Sequence, residues 1–288
     1  MNDFSIFTSF FRGQALDLAH KIIDLALEED GEDLTSNAVF SFDSKAKAII
    51  RVKQECVICG LPFIDLILAR IAGKASAQAI CAEGALIDPG RTIAEIHGST
   101  PKILKAERVI LNMLSRLSGI ATLTREFCAR LKGSGVTLLD TRKTSPGMRY
   151  PEKYAVLVGG AGNHRLNLES MLMLKDNHID QCGSITRAVD ALRFAYSPCP
   201  PIEVECRSIA DVEEAVSARA DRIMLDNMDM GEMQKALKII PARIESEISG
   251  RVNLENITQL ASLRPDYISS GALTHSARSI DISMKIEV

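Results

Sequence analysis

The chain has 288 residues, 46% hydrophobic and 25% charged, with no Trp and a formal net charge of −3. That length suits one large α/β domain, or a barrel with a smaller companion, and the slight acidic excess argues against a nucleic-acid binder, which carries a basic one. No apolar run approaches the roughly 20 residues that span a bilayer. The opening MNDFSIFTSFFRGQ lacks a basic leader with an apolar core, and the seven Cys form an odd, scattered set that reads as reduced thiols. The expectation is a cytoplasmic protein whose partners are neither nucleic acid nor membrane.

In chain order, residues 13–30 carry Leu16, Ala19, Ile22, Ile23 and Leu27 at helical spacing. Residues 46–52 (AKAIIRV) alternate as a half-buried strand does. QECVICGL reads as a strand ending at Gly60. Its Cys56 and Cys59 form a C-x-x-C, yet zinc needs two more ligands at similar spacing, and a redox pair should open a helix. They are expected to be small buried hydrophobes. A helix is predicted at 61–72, strands near 77–81 and 91–97 around the turn Asp88-Pro89-Gly90, and a long helix from Pro101 to Leu131 with a break at Ser118-Gly119.

After residue 135 the rhythm changes. Short apolar runs at Val136–Leu139, Met171–Leu174, Ile202–Val204, Ile223–Leu225, Ile244–Ile248 and Tyr267–Ser269 read as strands. Helices are expected at Ile185–Phe194, Ile209–Ala218, Gly231–Lys238 and Asn253–Leu263. The last four strands recur at the tight βα repeat of a parallel barrel. Six strands fall short of eight, so the expected fold is α/β with an irregular, incomplete parallel β/α barrel; an open doubly wound sheet is the alternative.

Each strand runs into polar or glycine-containing residues. Asp140, Thr141, Arg142 and Lys143 come after the first, and Lys175-Asp176-Asn177-His178 after the second. Glu205, Asp226-Asn227, Ser249-Gly250 and Ser270-Gly271 terminate the others. Carboxyl ends of barrel strands converge on the active-site face. Helix caps also favour Asp, Ser and Asn, but Lys175 and Glu205 are poorly explained as caps. Arg142, Lys143, Lys175, His164 and Arg165 gather positive potential suited to carboxylates and phosphates. The Ser-Gly pairs offer backbone amides to a phosphate. Glu205 and Asp226 suit a hydrated Mg²⁺ or a developing cation. The set describes one ligand with carboxylates and another with phosphates.

TRKTSPG (141–147), EKYAVLVGG (152–160), NHR (163–165), KDNH (175–178) and IEVEC (202–206) closely resemble the quinolinate phosphoribosyltransferases. ERVILNMLSRLSGIAT (107–122), MLDN (224–227) and SGALTHS (270–276) add to the likeness, which runs nearly the whole length in order. The resemblance implies an N-terminal α/β sandwich at 1–112, joined again by 276–288, and a barrel at 113–275 carrying the active site. It implies transfer of phosphoribosyl from 5-phosphoribosyl 1-diphosphate to quinolinate with decarboxylation, in NAD biosynthesis, with Mg²⁺. Arg142, His164, Arg165 and Lys175 would hold the quinolinate carboxylates, and Arg108 would join them from the other subunit of a homodimer. Lys143, Glu205 and Asp226 would face the ribose diphosphate and Mg²⁺ as the catalytic groups. Thr141 belongs to the same substrate-binding set. Ser249, Gly250, Ser270, Gly271 and His275 would lie near the 5-phosphate, with Asp176 and His178 close by. The chain departs from the family at Gly250-Arg251, where two glycines are usual, so Arg251 either contacts the phosphate or points to solvent.

Three other readings compete. Lys175 could be the Schiff-base lysine of an aldolase-like barrel, which requires a desolvated amine. The related pyrophosphorylase-like protein of molybdate transport shares the framework. A non-catalytic phosphate-binding barrel is the third, against which the complete charged set argues.

Overall fold

A computed structural model describes residues 4–41 and 43–287. The chain forms two compact units, Met1–Arg125 with Thr144–Gly160 and Leu273–Val288, and Glu126–Lys143 with Ala161–Ala272.

In the first unit come α1 (Ser5–Phe10), α2 (Gln14–Glu29), α3 (Leu34–Val39), β1 (Lys45–Val52), β2 (Cys56–Val57), α4 (Leu61–Leu68), β3 (Ala75–Ala79), β4 (Leu86–Ile87) and β5 (Thr92–Ser99). The helix α5 (Thr100–Leu131) comes next and continues into the second unit. Helix α2 buries Ala15, Ala19 and Ile23; of the predicted stripe Ala19 and Ile23 are buried, whereas Leu16, Ile22 and Leu27 are half-buried. The antiparallel sheet runs β12-β1-β5-β3, where β12 is Ile282–Glu287. The C-x-x-C begins in the two-residue strand β2 with Cys56, and Gly60, at φ 102, precedes α4. Cys56 and Cys59 are fully buried and unbridged, as the hydrophobe reading expects. Glu83 accepts the Gly60 and Leu61 amides at 2.6 and 3.0 Å and so caps α4.

The expected break at Ser118-Gly119 is absent, because α5 is continuous across it. Ser118 Oγ accepts the Cys59 amide at 3.0 Å, and a Cβ on Gly119 would sit 2.0 Å from the Arg278 carbonyl oxygen. The pair serves close backbone approach, which a local pattern cannot distinguish from a helix stop.

The second unit holds β6 (Thr137–Leu139), β7 (Leu172–Leu174), α7 (Asp176–Cys182), α8 (Ile185–Ala195), β8 (Ile202–Cys206), α9 (Ile209–Ser217) and β9 (Arg222–Asp226). After these come α10 (Met230–Ile239), β10 (Glu245–Ser249), α11 (Ile257–Ala261) and β11 (Tyr267–Ser269). α6 (Arg149–Gly159) intervenes in sequence but belongs to the first unit, as does α12 (Ala272–His275) from Leu273 on. All six strands are parallel, in the order β6-β11-β10-β9-β8-β7. Among the described residues the sheet does not close, since β6 and β7 are its edges; beside β6, Leu139 makes a parallel bridge to Gly162. This is the irregular, incomplete barrel the strand count implied. The helix expected at Asn253–Leu263 shrinks to Ile257–Ala261, because the Asn253 side chain accepts the Glu255 and Asn256 amides and makes a turn instead. The helix expected at 61–72 stops at Leu68.

Candidate active site

The strand alternation decides which side chains share a face. Glu203 and Glu205 lie two apart on β8, Met224 and Asp226 on β9, and Glu247 and Ser249 on β10, so each pair points the same way. Parallel register sets Glu205 against Met224 and Ser249 against Asp226. Side chains at or next to the ends of five strands, Met173, Glu205, Asp226, Ser249 and Ser269, therefore reach one cavity of about 330 Å³ at the carboxyl ends. Its walls are Thr141, Arg142, Lys143, His164, Arg165, Met173, Lys175, Glu205, Met224, Asp226, Asn227, Ser249 and Ser269.

Four cations, Arg142, Lys143, Arg165 and Lys175, face two acids, Glu205 and Asp226, in a chain whose net charge is −3. Lys175 Nζ donates to Glu205 Oε2 at 2.8 Å, and its side chain is 43% exposed. An exposed, ion-paired ammonium is the opposite of the desolvated amine that a Schiff base requires. Burial lowers the Arg165 pKa, the nearby Arg142 charge lowers it further, and Glu203 opposes them. Such a cationic pair is costly alone and favourable with a dianion between the guanidinium forks.

The segment that carries His164 and Arg165 is held from below. Fully buried Asp140 accepts the His164 amide through Oδ1 and the Asn163 side-chain amide through Oδ2, both at 2.8 Å. Lys143 comes after a tight turn in which its amide donates to Thr141 Oγ1 at 3.0 Å. On the acidic side, Asn227 donates to Asp226 Oδ2 at 2.7 Å. Glu205 and Asp226 thus each give one oxygen to a neighbour, and among the described residues the second oxygen of each has no donor. Two hard oxygen donors with room for water fit Mg²⁺, which keeps several of its own waters.

The structure brings nine of the predicted residues to the cavity: Thr141, Arg142, Lys143, His164, Arg165, Lys175, Glu205, Asp226 and Ser249. Others lie outside its lining. The His178 ring accepts the Lys175 amide at 3.0 Å and Asp176 the Asn177 amide at 2.7 Å, so both shape the start of α7. Gly250 takes φ 94, and a Cβ there would sit 2.5 Å from Asn227 Oδ1. The Ser270 hydroxyl donates to the Val252 carbonyl at 2.9 Å, next to Gly271. Exposed Arg108 on α5 and exposed His275 belong to the first unit. Arg251 is exposed at φ 50, in the left-handed region that glycine prefers, which explains why a glycine is usual there.

Sequence reasoning missed Met173, Met224 and Ser269 in the lining, and the buried Glu203 and Glu247 beneath it. A charged residue inside an apolar strand, two before a site carboxylate, is the signal that would have found Glu203.

Residues 33–118 and 120–285 match the models of the quinolinate phosphoribosyl transferase N-terminal and C-terminal domains. The chain belongs to the quinolinate phosphoribosyl transferase family. A probable nicotinate-nucleotide pyrophosphorylase [carboxylating] of Bacillus subtilis is 40% identical over 261 residues, covering 90% of each chain. Among solved structures, NadC from Streptococcus pyogenes superposes with a TM-score of 0.87 at 40% identity, covering 93% of this chain and 95% of that one. The nicotinate-nucleotide pyrophosphorylase from Francisella tularensis gives 0.89 at 30% identity, covering 96% and 99%. The Bacillus subtilis relative is named for the carboxylating enzyme, so the molybdate-associated and non-catalytic readings are not favoured.

Proposed function

We propose that this member of the family transfers the phosphoribosyl group of 5-phosphoribosyl 1-diphosphate to quinolinate with decarboxylation, giving nicotinate mononucleotide, CO₂ and diphosphate. The observation that carries the reading is a strand-end cavity in which three long cations, Arg142, Arg165 and Lys175, share the walls with Glu205 and Asp226. The cations match a dicarboxylate, and the two acids match a ribose that becomes positive as its leaving group departs.

In this reading Arg142, Arg165 and Lys175, with His164 beside them, hold the quinolinate carboxylates and orient the ring nitrogen toward the sugar. Lys143, exposed at the cavity mouth, offsets charge on the departing diphosphate. Glu205 and Asp226 stabilise the oxocarbenium-like carbon by their fixed negative charge. The pyridine nitrogen attacks that carbon and becomes quaternary. The C2–carboxylate bond then breaks, CO₂ leaves, and the electron pair remains on C2 beside the positive nitrogen until a proton is taken up. Alignment of two anions that would repel in solution supplies most of the acceleration, and no covalent nucleophile is required. Glu205 and Asp226 would also hold Mg²⁺ through water, where it would supply charge neutralisation at the diphosphate. Ser249, Gly250, Ser270, Gly271 and His275 would serve the 5-phosphate, with Thr141, Asp176 and His178 supporting the site. The functional unit in this proposal is a homodimer in which Arg108 completes the partner's site. It acts in the cytoplasm, in keeping with seven cysteines that are all free.

Incubation with Mg²⁺, quinolinate and 5-phosphoribosyl 1-diphosphate should yield nicotinate mononucleotide and CO₂ in equal amounts. Calorimetric titration should show binding of quinolinate and none of the monoacid nicotinate at the same concentration. Absence of product from folded protein, or equal binding of both acids, would overturn the reading.

A further inference from the structure

Beneath the cavity floor lies a second, buried layer of charge. Glu203 and Glu247 are fully buried, and His164 is only 7% exposed. The imidazole Nε2 lies 2.9 Å from Glu203 Oε2 and 3.7 Å from Glu247 Oε2. Arg222 approaches Glu247 from the far side, with Nη1 at 3.4 Å from Oε2. Glu203 is one pleat deeper than Glu205 on the same face of β8, so it does not line the cavity.

The other ring nitrogen settles what this layer does. The Arg165 backbone amide donates to His164 Nδ1 at 2.8 Å. A ring nitrogen that accepts a hydrogen bond carries no proton, so the proton of a neutral imidazole sits on Nε2, where the two carboxylates lie. We infer that Glu203 is a positioning residue of the carboxylate pocket: it holds His164 with its proton on Nε2, and His164 in turn holds Arg165 through the amide-to-Nδ1 bond. The inference rests on the function proposed above and adds a role inside it. His164 then serves the dicarboxylate at least in part by fixing Arg165, since Nδ1 accepts the Arg165 amide while Nε2 faces the Glu203 carboxylate at 2.9 Å.

The surroundings agree. Asp140 accepts the His164 backbone amide and the Asn163 side-chain amide, and the Glu203 carboxylate lies 2.9 Å from the far ring nitrogen. Arg165 Nη1 donates to the Met171 carbonyl at 3.2 Å, a second anchor for the guanidinium. Buried Glu203 also offsets the charge that Arg142 imposes on Arg165. The ligand atoms of His164, Glu203 and Glu247 lie within 4.8 Å of one another, a spacing that metal sites share. A metal on Nε2 would move the ring proton to Nδ1, where the Arg165 amide already points its own hydrogen. The geometry therefore favours a proton over a metal.

Nitrogen-15 NMR of the histidines decides the tautomer without any substrate, with His164 assigned by the loss of its signals in His164→Asn. Wild-type protein should show the proton on Nε2. In Glu203→Ala the His164 pattern should change, and the quinolinate KM should rise roughly tenfold to a hundredfold, the range lost when the partner behind a metal-site histidine is removed. The KM for 5-phosphoribosyl 1-diphosphate should stay near wild type. Glu203→Gln keeps an acceptor oxygen and should restore both readouts toward wild type. The inference is overturned by an Nδ1 proton in the wild type, by one zinc per chain, or by a folded Glu203→Ala with a wild-type quinolinate KM. It is equally overturned if Glu203→Gln is no better than Glu203→Ala. Should Glu203→Ala fail to fold, the wild-type spectrum and the kinetics of Glu203→Gln still decide the matter. Should the wild type make no nicotinate mononucleotide, the proposed function fails while the tautomer result stands by itself.

Discussion

Lys143 is exposed at the cavity, whereas Arg165 is half-buried against Arg142 and tied to His164 and Met171. The difference separates their expected roles. Lys143→Ala should lower turnover and weaken use of 5-phosphoribosyl 1-diphosphate, and Arg165→Ala should raise the quinolinate requirement steeply. Truncating one partner of a buried charge pair costs on the order of 2–5 kcal/mol, so steady-state kinetics that leave both variants within a few-fold of wild type would contradict the assignment. Glu247 adds a pH effect. Burial, reinforced by the Glu203 charge, pushes its pKa from 4.5 up to about 7. A carboxyl whose folded pKa exceeds its unfolded one binds more protons when folded between those two values. Its contribution to stability therefore falls as pH rises from about 4.5 to about 7 and is level above that. Glu247→Gln should flatten this part of the profile, measured as urea midpoints at a series of pH values; a wild-type slope in the variant would refute it.

At the scale of elements, α5 and the loop after β10 each hold a position that favours glycine, and only α5 has one there. A Cβ at Gly119 would meet the Arg278 carbonyl oxygen at 2.0 Å, and backbone cannot swing aside as a side-chain tip can. Gly119→Ala should cost about 3 kcal/mol, the upper end of overpacking penalties, read as a lowered urea midpoint. Arg251 is the reverse case, a side chain at φ 50 where glycine is unstrained. Arg251→Gly should stabilise the protein by about 1 kcal/mol, the low end of left-handed strain. If the substitution also raises the 5-phosphoribosyl 1-diphosphate KM several-fold, the arginine touches phosphate; an unchanged KM assigns it to solvent. Glu83 and Ser118 hold the backbone around the C-x-x-C through hydrogen bonds to the Cys59, Gly60 and Leu61 amides. Cys56→Ala with Cys59→Ala should therefore keep activity, and elemental analysis of wild type should find no stoichiometric zinc.

For the whole molecule, the proposed homodimer makes one strong demand. Arg108 is exposed on α5, whereas Arg142 lines the cavity of the second unit. If Arg108 serves the partner, mixed dimers of Arg108→Ala and Arg142→Ala chains contain one site with both defects and one with neither. Random exchange makes half the dimers mixed, so roughly a quarter of the sites should recover. Activity that stays at the parental level after exchange verified by mass spectrometry would mean that Arg108 acts in its own chain or not at all.

The sequence alone determined the parallel strands of the second unit and the polar groups at their ends, because short apolar runs at a regular βα spacing and strand-terminal charges are local patterns. Motif likeness carried the family reading for the same reason: TRKTSPG, NHR and KDNH are contiguous words. Only the tertiary structure decided that Gly119 is a contact point inside an unbroken helix, since the Arg278 carbonyl that demands it is remote in sequence. Helix α6 was illegible as an element because nearly every residue in it is buried, which erases the amphipathic stripe. The layer of Glu203, Glu247 and His164 was hidden for a related reason. Each sits on a different segment, and three strand-borne or loop-borne side chains become a cluster only when the sheet curls and stacks their pleats in register.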